Sequence, residues 1–210
     1  MKTENEGNVY GWASADRTDA HAYILPAIIK LLPDSKKLNI LDAGCGNGYV
    51  AGKLAALGHH VVGIDQAEDG IAIAQATYPN LNFEVRSVYD DLKGLMTDVD
   101  LVISSEVIEH LFYPQRFIRN LYDVIRPGGH IILTTPYHGY LKNLLIGMFG
   151  LWDQHHTIDW EGGHIKFFSK KSLSRLLRSN GFVEIVYRNA GRIPFLWKSM
   201  VCRAKGRGYA

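Results

Sequence analysis

The sequence predicts an α/β protein with a mostly parallel sheet and helices on both faces. Short apolar runs alternate along the chain with segments whose apolar residues recur at helical spacing. The first run ends in Asp42 and is followed by glycines at three alternate positions, as in a ligand-binding turn between a strand and a helix. Strands and helices in alternation require crossover connections, which produce parallel pairing.

The predicted elements follow one another in a regular order. A leading helix over 21–32 stops at Pro33. The helix after the first strand should begin near Asn47, so that its first N–H groups face the ligand. A late helix over 169–180 has Ser169 as its cap and Gly181 after its end. The predicted strands are 38–43, 60–65, 82–86, 101–104, 130–134 and 182–187, the other predicted helices are 49–57, 69–78 and 114–125, and 195–203 is a last apolar stretch.

Length and composition fit a single domain over residues 1–210. The chain is 47% hydrophobic and 21% charged, which describes an ordinary globule with an ample core. A net charge of +2 gives no strong attraction to nucleic acid or to an anionic membrane. Cys45 and Cys202 lack metal-type spacing, which predicts free thiols in a reducing compartment. Because the N-terminus is polar and lacks a signal-peptide core, we predict a cytoplasmic location and leave the oligomeric state open.

Residues 136–168 are the one long departure from a minimal fold of this class. Connections of this length generally cover functional sites, so we predict a lid over the acceptor side. The stretch 140–152 is apolar on nearly every side, which predicts a helix that must bury against something. Its partner is the sheet edge, a second subunit, or a membrane surface from which a hydrophobic acceptor is collected. The predicted contact residues are Met148, Phe149 and Trp152.

The glycine spacing distinguishes two classes of cofactor. A dinucleotide fingerprint needs glycine at its first, third and sixth positions, and the sixth residue from Gly44 is Tyr49. A nicotinamide dehydrogenase is therefore only the second interpretation of the fold. The motif D-A-G-C-G-N-G over 42–48, with Asp65 closing the next strand, resembles the class I S-adenosylmethionine (SAM) methyltransferases. The resemblance extends to R-P-G-G over 126–129 and implies a doubly wound, seven-stranded sheet of order 3-2-1-4-5-7-6 whose last strand is antiparallel.

The resemblance also implies a site for SAM and its product S-adenosylhomocysteine (SAH). Asp65 would accept both ribose hydroxyls, and Gln66 would lie against the adenine. Ser87 and Val88 would contact the adenine edge. The remaining predicted cofactor residues, Asp42, Gly44, Cys45, Gly46 and Ser104, would surround the methionine portion. Taken singly, the acids could instead cap turns. Three aromatic residues near the N-terminus, Tyr10, Trp12 and Tyr23, either cover the cofactor or simply pack.

The segment S-S-E-V-I-E-H-L after the fourth strand marks the acceptor side, because ligands bind outside the carboxyl ends of such strands. If it opens a helical turn, Glu106, Glu109 and His110 share one face. The pattern E-V-x-E-H resembles ubiquinone-pathway O-methyltransferases and small-RNA 3′-terminal 2′-O-methyltransferases. There these residues bind a divalent cation, Mg²⁺ or another, together with a later histidine. The match in this chain is His164, and the second choices are His138, His155 and His156.

The resemblance implies a SAM-dependent methyltransferase that acts on an oxygen of a small molecule with adjacent hydroxyls. His110 and Glu106 are the predicted catalytic residues, since either a metal or a nearby imidazole can handle the hydroxyl proton. A first alternative is 2′-O-methylation of an RNA end, which the lack of a basic cluster near the insertion disfavours. A second is a non-catalytic SAM-binding protein, which the intact set of acids and histidines disfavours.

Overall fold

The computed structural model describes residues 11–156 and 162–208, so Tyr10 lies outside the described residues. Its strands are β1 (Asn39–Ala43), β2 (His60–Asp65), β3 (Asn82–Val85), β4 (Val99–Ser105), β5 (Ile125–Pro136), β6 (Phe182–Ala190) and β7 (Ser199–Gly206). They form one sheet in the order β3-β2-β1-β4-β5-β7-β6. Strands β1 to β5 pair in parallel, and β7 pairs antiparallel with β5 and with β6. The predicted α/β class and strand order are confirmed.

The helices cover both faces of this sheet. They are α1 (His21–Ile29), α2 (Tyr49–Ala56), α3 (Glu68–Thr77), α4 (Pro114–Val124), α5 (Tyr140–Met148), α6 (Trp152–His156) and α7 (Lys170–Ser179). A 3-10 turn covers Ile108–His110. Helix α2 begins two residues after Asn47, because Gly48 takes a left-handed conformation with φ of 75°.

Two apolar cores lie on opposite faces of the sheet, because successive strand residues point to opposite sides. In β1, Ile40 belongs to the core under α1, α2 and α3, whereas Leu41 belongs to the core under α4 and α7. All the hydrophobic residues of β1 are buried. The continuous apolar runs of the sequence are thus explained by strands that are covered on both faces.

The parallel strands bring four chain turns to one edge of the sheet. β1, β2, β4 and β5 end at Ala43, Asp65, Ser105 and Pro136 respectively. The polar residues that follow these ends therefore lie side by side, as expected for the ligand-binding edge of an open α/β sheet.

The insertion differs from the single buried helix that the sequence predicts. It forms two short helices, α5 and α6, and Gly150 with φ of 62° lies between them. Only Lys142 and Ile146 of α5 are buried, while Met148 and Phe149 are each 67% exposed and Trp152 is 54% exposed. Within the described chain this face is not covered by the sheet edge, and burial against a second subunit, an acceptor or a membrane surface stays a prediction. No helix in the described ranges combines the length and the apolar character needed to cross a membrane.

Candidate active site

A cavity of about 530 Å³ opens at the carboxyl edge of the sheet. Its walls come from the ends of β1, β2, β4 and β5, from α1 and the segment before it, from the insertion and from the β6–β7 connection. The predicted lid 136–168 contributes Pro136, His138, Lys142 and three further histidines. The cavity therefore joins the predicted cofactor turn to the predicted acceptor side in one continuous space.

The glycine turn presents bare backbone to this cavity. The N–H groups of Gly44 and Cys45 both donate to the carbonyl of Ile64, at 2.8 and 2.9 Å, which ties the turn to β2. Gly44 has φ of 83° and Gly46 has φ of 52°, a region that favours glycine. A Cβ on Gly44 would collide with Val107, and one on Gly46 would collide with the ring of Trp12. The turn therefore has no room for a side chain at either glycine.

Asp65 fixes the geometry between this turn and β2. Its Oδ2 accepts a hydrogen bond from the N–H of Gly46 at 2.8 Å, and its Oδ1 accepts one from the N–H of Ala67 at 2.9 Å. Burial raises the pKa of this carboxyl, while those backbone N–H groups act in the opposite direction. Each carboxylate oxygen retains a lone pair that can accept a hydroxyl. Gln66, the next residue, is exposed and also lines the cavity.

Asp42 is a carboxyl group that lacks a compensating partner. It is 1% exposed, and neither of its oxygens has a hydrogen bond of acceptable geometry among the described residues. Burial, and secondly the charge of Asp65, raise its pKa to about 7. A buried carboxyl without a partner is unfavourable, and a cationic ligand would relieve this. The ammonium group of SAM has the chemistry that this position lacks, so Asp42 fits the methionine portion of the cofactor.

Three of the predicted cofactor residues do not line the cavity: Gly46, which the ring of Trp12 covers, Ser87 and Ser104. Val88 lines the cavity, but Ser87 does not: its Oγ accepts from the N–H of Tyr89 at 3.2 Å within the local turn. Ser104 is buried in β4 with its hydroxyl unpartnered among the described residues, whereas Ser105 lines the cavity. Adjacent strand residues face opposite sides, so a one-residue error in the predicted site moves the side chain to the other face.

The leading segment covers the glycine turn. The N–H of Trp12 donates to Asp69 at 2.7 Å, and its ring lies against Gly46. Asn47 donates from Nδ2 to the carbonyls of Ser14 and Asp16, at 2.9 and 3.0 Å. Of the aromatic residues that the sequence places over the cofactor, Trp12 and Tyr23 both line the cavity. Asn47 was missed, although an amide beside a glycine turn is a recognisable anchor for a second segment.

Glu106 lines the acceptor side but lies apart from the other predicted metal ligands. Its backbone has φ of 54°, and its carboxylate accepts from Thr134 Oγ1 at 2.8 Å and from Ser199 Oγ at 3.2 Å. Burial raises its pKa to about 7, against the effect of these two hydroxyls and of the nearby charge of Lys142. Glu106 is thus a hydrogen-bonded, half-buried carboxyl that can take up a proton near neutral pH.

Glu109, His110 and His164 do converge. One ligand atom from each lies within 4.8 Å of the other two. The backbone carbonyl of Glu109 accepts from the N–H groups of Ile165 and Lys166, both at 2.9 Å, which holds the segment after the insertion against the 3-10 turn. Both carboxylate oxygens of Glu109 are buried and lack hydrogen-bond partners within the described part of the chain.

This cluster has the donor set of a cation site. His110 Nδ1 lies 3.3 Å from the carbonyl of Gly163 and must carry its proton to donate there, which leaves the Nε2 lone pair available. Burial lowers the pKa of His110 and lowers that of His164 to about 4, so both imidazoles are neutral at pH 7. One carboxylate with two neutral imidazoles suits a first-row divalent cation. The structure therefore brings together three of the four predicted ligands and leaves Glu106 outside.

Several residues of the cavity were not predicted. Lys142 from α5, Arg192 from the β6–β7 connection and Ser199 from β7 all line it. No local motif marks these positions. Ser199 reaches the site because β7 is inserted between β5 and β6, which a local pattern does not reveal. Lys142 carries a weak signal, as a lone lysine in an otherwise apolar stretch.

Known proteins resemble this chain in sequence and in fold. The family described as "Methyltransferase domain" matches residues 17–186. The mitochondrial ubiquinone biosynthesis O-methyltransferase of Rattus norvegicus is 34% identical over 153 residues, which are 69% of this chain and 44% of that protein. The ubiquinone biosynthesis O-methyltransferase of Rickettsia canadensis is 31% identical over 165 residues, 76% of this chain and 68% of that protein. The chain thus spans less than half the length of the rat relative.

One solved structure illustrates the likeness of fold. It is a SAM-dependent methyltransferase of Thermotoga maritima, described as a possible histamine N-methyltransferase, with a TM-score of 0.67 and 19% identity over 90% of this chain and 89% of that one. At this identity the likeness shows the fold alone. The family match and the relatives decide between the two cofactor classes that the glycine turn left open. The chain belongs to the methyltransferase domain family, with the class I SAM-dependent methyltransferase fold.

Proposed function

We propose that this chain transfers the methyl group of SAM to an oxygen of a small molecule with adjacent hydroxyls. The observation that carries the proposal is the convergence of Glu109, His110 and His164 within 4.8 Å, beside a cavity that also contains the glycine turn. The two ubiquinone O-methyltransferases cited above support the choice of oxygen as the acceptor atom. The acceptor is expected to be apolar in its remainder, since Leu111, Phe112 and Trp197 line the cavity.

The cofactor side would hold SAM through groups that the fold has already oriented. Asp65, fixed by the N–H groups of Gly46 and Ala67, would accept the ribose hydroxyls. Asp42 would pair with the methionine ammonium, and Val88 would offer backbone to the adenine. When bound, SAM supplies a methyl group on a sulfonium that departs as a neutral thioether. Most of the acceleration would come from aligning the acceptor oxygen with that methyl group in a site from which water is excluded.

The acceptor proton would be handled by the residues that follow β4. Glu106, with its pKa raised to about 7, can accept the proton of a hydroxyl, and its hydrogen bonds to Thr134 and Ser199 keep it in place. Without a cation, His110 would offer a neutral imidazole whose Nε2 can accept the proton. We propose these two residues for the catalytic roles that the sequence predicts.

We also propose that Glu109, His110 and His164 hold a divalent cation. A cation held there lowers the pKa of an acceptor hydroxyl and orients its lone pair. We expect purified protein to carry metal measurable by mass spectrometry, and His164→Ala to lose it along with most of its activity. His60→Ala is the matched control, because His60 is exposed and lies outside the cavity. The cation would be excluded if the protein kept full activity in excess chelator and if His164→Ala and His60→Ala carried equal amounts of metal.

The methyl-transfer proposal is tested by turnover of radiolabelled SAM. The panel contains catechol, a monophenol, a short RNA with a free 3′ end, and no acceptor. We expect label in catechol and little in the monophenol. Labelled RNA would support the alternative of RNA-end methylation. Binding of SAM and SAH without transfer to any acceptor would support the non-catalytic alternative.

A further inference from the structure

The acceptor end of the cavity contains a buried cation without an anionic partner. Lys142 is 7% exposed, and its Nζ donates one hydrogen bond to the carbonyl of Tyr137 at 3.0 Å. An ammonium has three protons to donate, so two remain. Lys142 forms no ion pair with any residue that the structure describes. A buried charge that is left in this state is unfavourable unless something else pairs with it.

A second cation lies close to the first. Arg192 has φ of 56° in the connection between β6 and β7, lines the same cavity and has no ion pair within the described ranges. Burial, and secondly the charge of Arg192, lower the pKa of Lys142 to about 8. The two cations therefore lie within electrostatic range of each other. Two like charges facing one cavity repel each other, and an anion between them would reverse this penalty.

The charge of Glu106 acts on Lys142 and raises its pKa, but the two side chains form no ion pair within the described ranges. The carboxylate of Glu106 is held by Thr134 and Ser199 rather than by Lys142. The surrounding imidazoles are neutral, since burial and the charge of Lys142 lower the pKa values of His138 and His155 to about 4. Nε2 of His138 is buried and has no partner among the described residues, so it adds a further unused polar atom to the same wall.

The position of the pair distinguishes it from the cofactor side. Lys142 follows β5, and Arg192 precedes β7, whereas the glycine turn follows β1. In the strand order β1-β4-β5-β7, these elements are two and three strands apart, which corresponds to about 10–14 Å at the spacing of strands in a sheet. Glu106, after β4, lies between them. The cations thus lie beyond the reacting centre as seen from the cofactor turn.

We propose that Lys142 and Arg192 form an anion subsite that binds an anionic substituent of the acceptor, of the carboxylate or phosphate type. This inference rests on the proposed function, because it takes the occupant of this end of the cavity to be the methyl acceptor. An anion held by Arg192 and the two free protons of Lys142 would fix one end of the acceptor while a hydroxyl at the other end lies near Glu106. The two residues would then set which acceptors are used.

The test is calorimetric binding to SAH-loaded protein of three compounds that differ in one substituent. They are 3,4-dihydroxybenzoate, 3,4-dihydroxyphenylphosphonate and the neutral 3,4-dihydroxybenzamide. We expect at least one of the two anions to bind about tenfold or more tightly than the benzamide, the gain that a charged hydrogen bond provides. The stronger of the two anions identifies the substituent as a carboxylate or a phosphate type.

Variants assign this preference to the two cations. Lys142→Met keeps the aliphatic stem and should abolish the preference for the anion, while Arg192→Gln should reduce it. Lys93→Met is the matched control, because Lys93 is exposed and outside the cavity. If Lys142→Met does not fold, the Arg192→Gln variant, at an exposed position, shows whether the preference for the anion depends on this pair of cations. Equal binding of anion and benzamide to the wild type, including no binding of either, overturns the proposal.

A second source of an anion is the carboxylate of the cofactor itself. The affinity for SAH is therefore measured in each variant. If Lys142→Met and Arg192→Gln weaken SAH binding and leave the acceptor preference intact, the subsite belongs to the cofactor and the proposal is overturned. Turnover of radiolabelled SAM is recorded separately. An anion preference without methyl transfer would leave the subsite standing and contradict the proposed function alone.

Discussion

Asp42 illustrates how a residue suited to a ligand can destabilise the protein when the ligand is not bound. Its carboxyl is buried without a partner, and its pKa is raised from 3.8 to about 7. For an acid whose folded pKa is raised, folding favours the protonated form. Its contribution to stability is therefore full below pH 3.8 and is lost as the pH rises toward 7. Above that range the empty protein must keep an uncompensated charge in its interior.

We therefore expect Asp42→Asn to stabilise the protein without cofactor and to weaken its binding of SAM. The gain in free energy of unfolding should be about 1–3 kcal/mol at pH 8 and close to zero at pH 4, because the neutral amide never carries the buried charge. The affinity for SAM should fall about tenfold or more through loss of the charged pair. Urea unfolding at both pH values and calorimetry with SAM measure the two effects. A variant that is less stable at pH 8 with unchanged affinity would contradict this account.

At the same scale, the sequence predicts which residues matter better than it predicts where they point. Glu106, Glu109 and His110 were placed on one face of a helical turn. In the structure the 3-10 turn begins only at Ile108, and Glu106 precedes it with φ of 54°. Its carboxylate turns instead toward Thr134 and Ser199. Ser199 comes from a strand inserted late in the chain, so no local pattern could have revealed this competing partner.

The glycine turn is the element whose geometry most directly controls the cofactor side. Gly46 and Gly58 both have positive φ, 52° and 93°, and both follow apolar segments. Alanine at either position would be strained by about 1–2 kcal/mol from its backbone alone. At Gly58 an added Cβ meets nothing within 4 Å, whereas at Gly46 it collides with the ring of Trp12. Alanine at Gly58 therefore tests backbone strain alone, whereas alanine at Gly46 also tests the contact with the ring of Trp12.

We expect Gly46→Ala to lower the affinity for SAM by about tenfold or more, a change of at least 1.4 kcal/mol. Gly58→Ala should lose about 1 kcal/mol of stability and bind SAM normally. Chemical unfolding and calorimetry of both variants are the measurements. Equal SAM affinity in the two alanine variants would show that the contact between Trp12 and the turn does not matter for the cofactor.

Elements were predicted well where the pattern is local. The starts of β2, β3, α4 and β6 coincide with the predicted ones, because continuous apolar runs and capping residues act within a few residues. β5 was predicted over 130–134 but begins at Ile125, since Ile125 pairs with Val99 across a register shift before the regular ladder starts. The single helix predicted in 140–152 is divided at Gly150, and whether its apolar face is covered depends on tertiary contacts that periodicity does not report.

At the scale of the whole molecule, the exposed face of the insertion is an apolar surface that the cavity does not explain. Tyr140, Met148, Phe149 and Trp152 are 84%, 67%, 67% and 54% exposed. The ring of Trp152 lies 4.3 Å from that of His156, which lines the cavity. Ile193 and Phe195, which follow Arg192 of the cavity wall, are 65% and 59% exposed, and we call these six exposed residues the rim. Aromatic and long apolar side chains with a nearby cation are typical of surfaces that lie in a lipid interface. We propose that this rim contacts a lipid surface from which the acceptor enters.

The proposal is tested by flotation with vesicles of phosphatidylcholine, with and without phosphatidylglycerol. We expect the wild type to float with both and more strongly with the anionic lipid, because Arg192 and Lys198 are exposed and line the cavity. Phe149→Ser combined with Trp152→Ser should abolish flotation, since each loses apolar area worth about 1–2 kcal/mol. Leu57→Ser combined with Val186→Ser, also at exposed apolar positions, is the control. The wild type could instead stay in the soluble fraction and form dimers, as measured by light scattering. If the Phe149 and Trp152 changes dissociate those dimers, the face binds a second copy of the chain and the lipid proposal is contradicted.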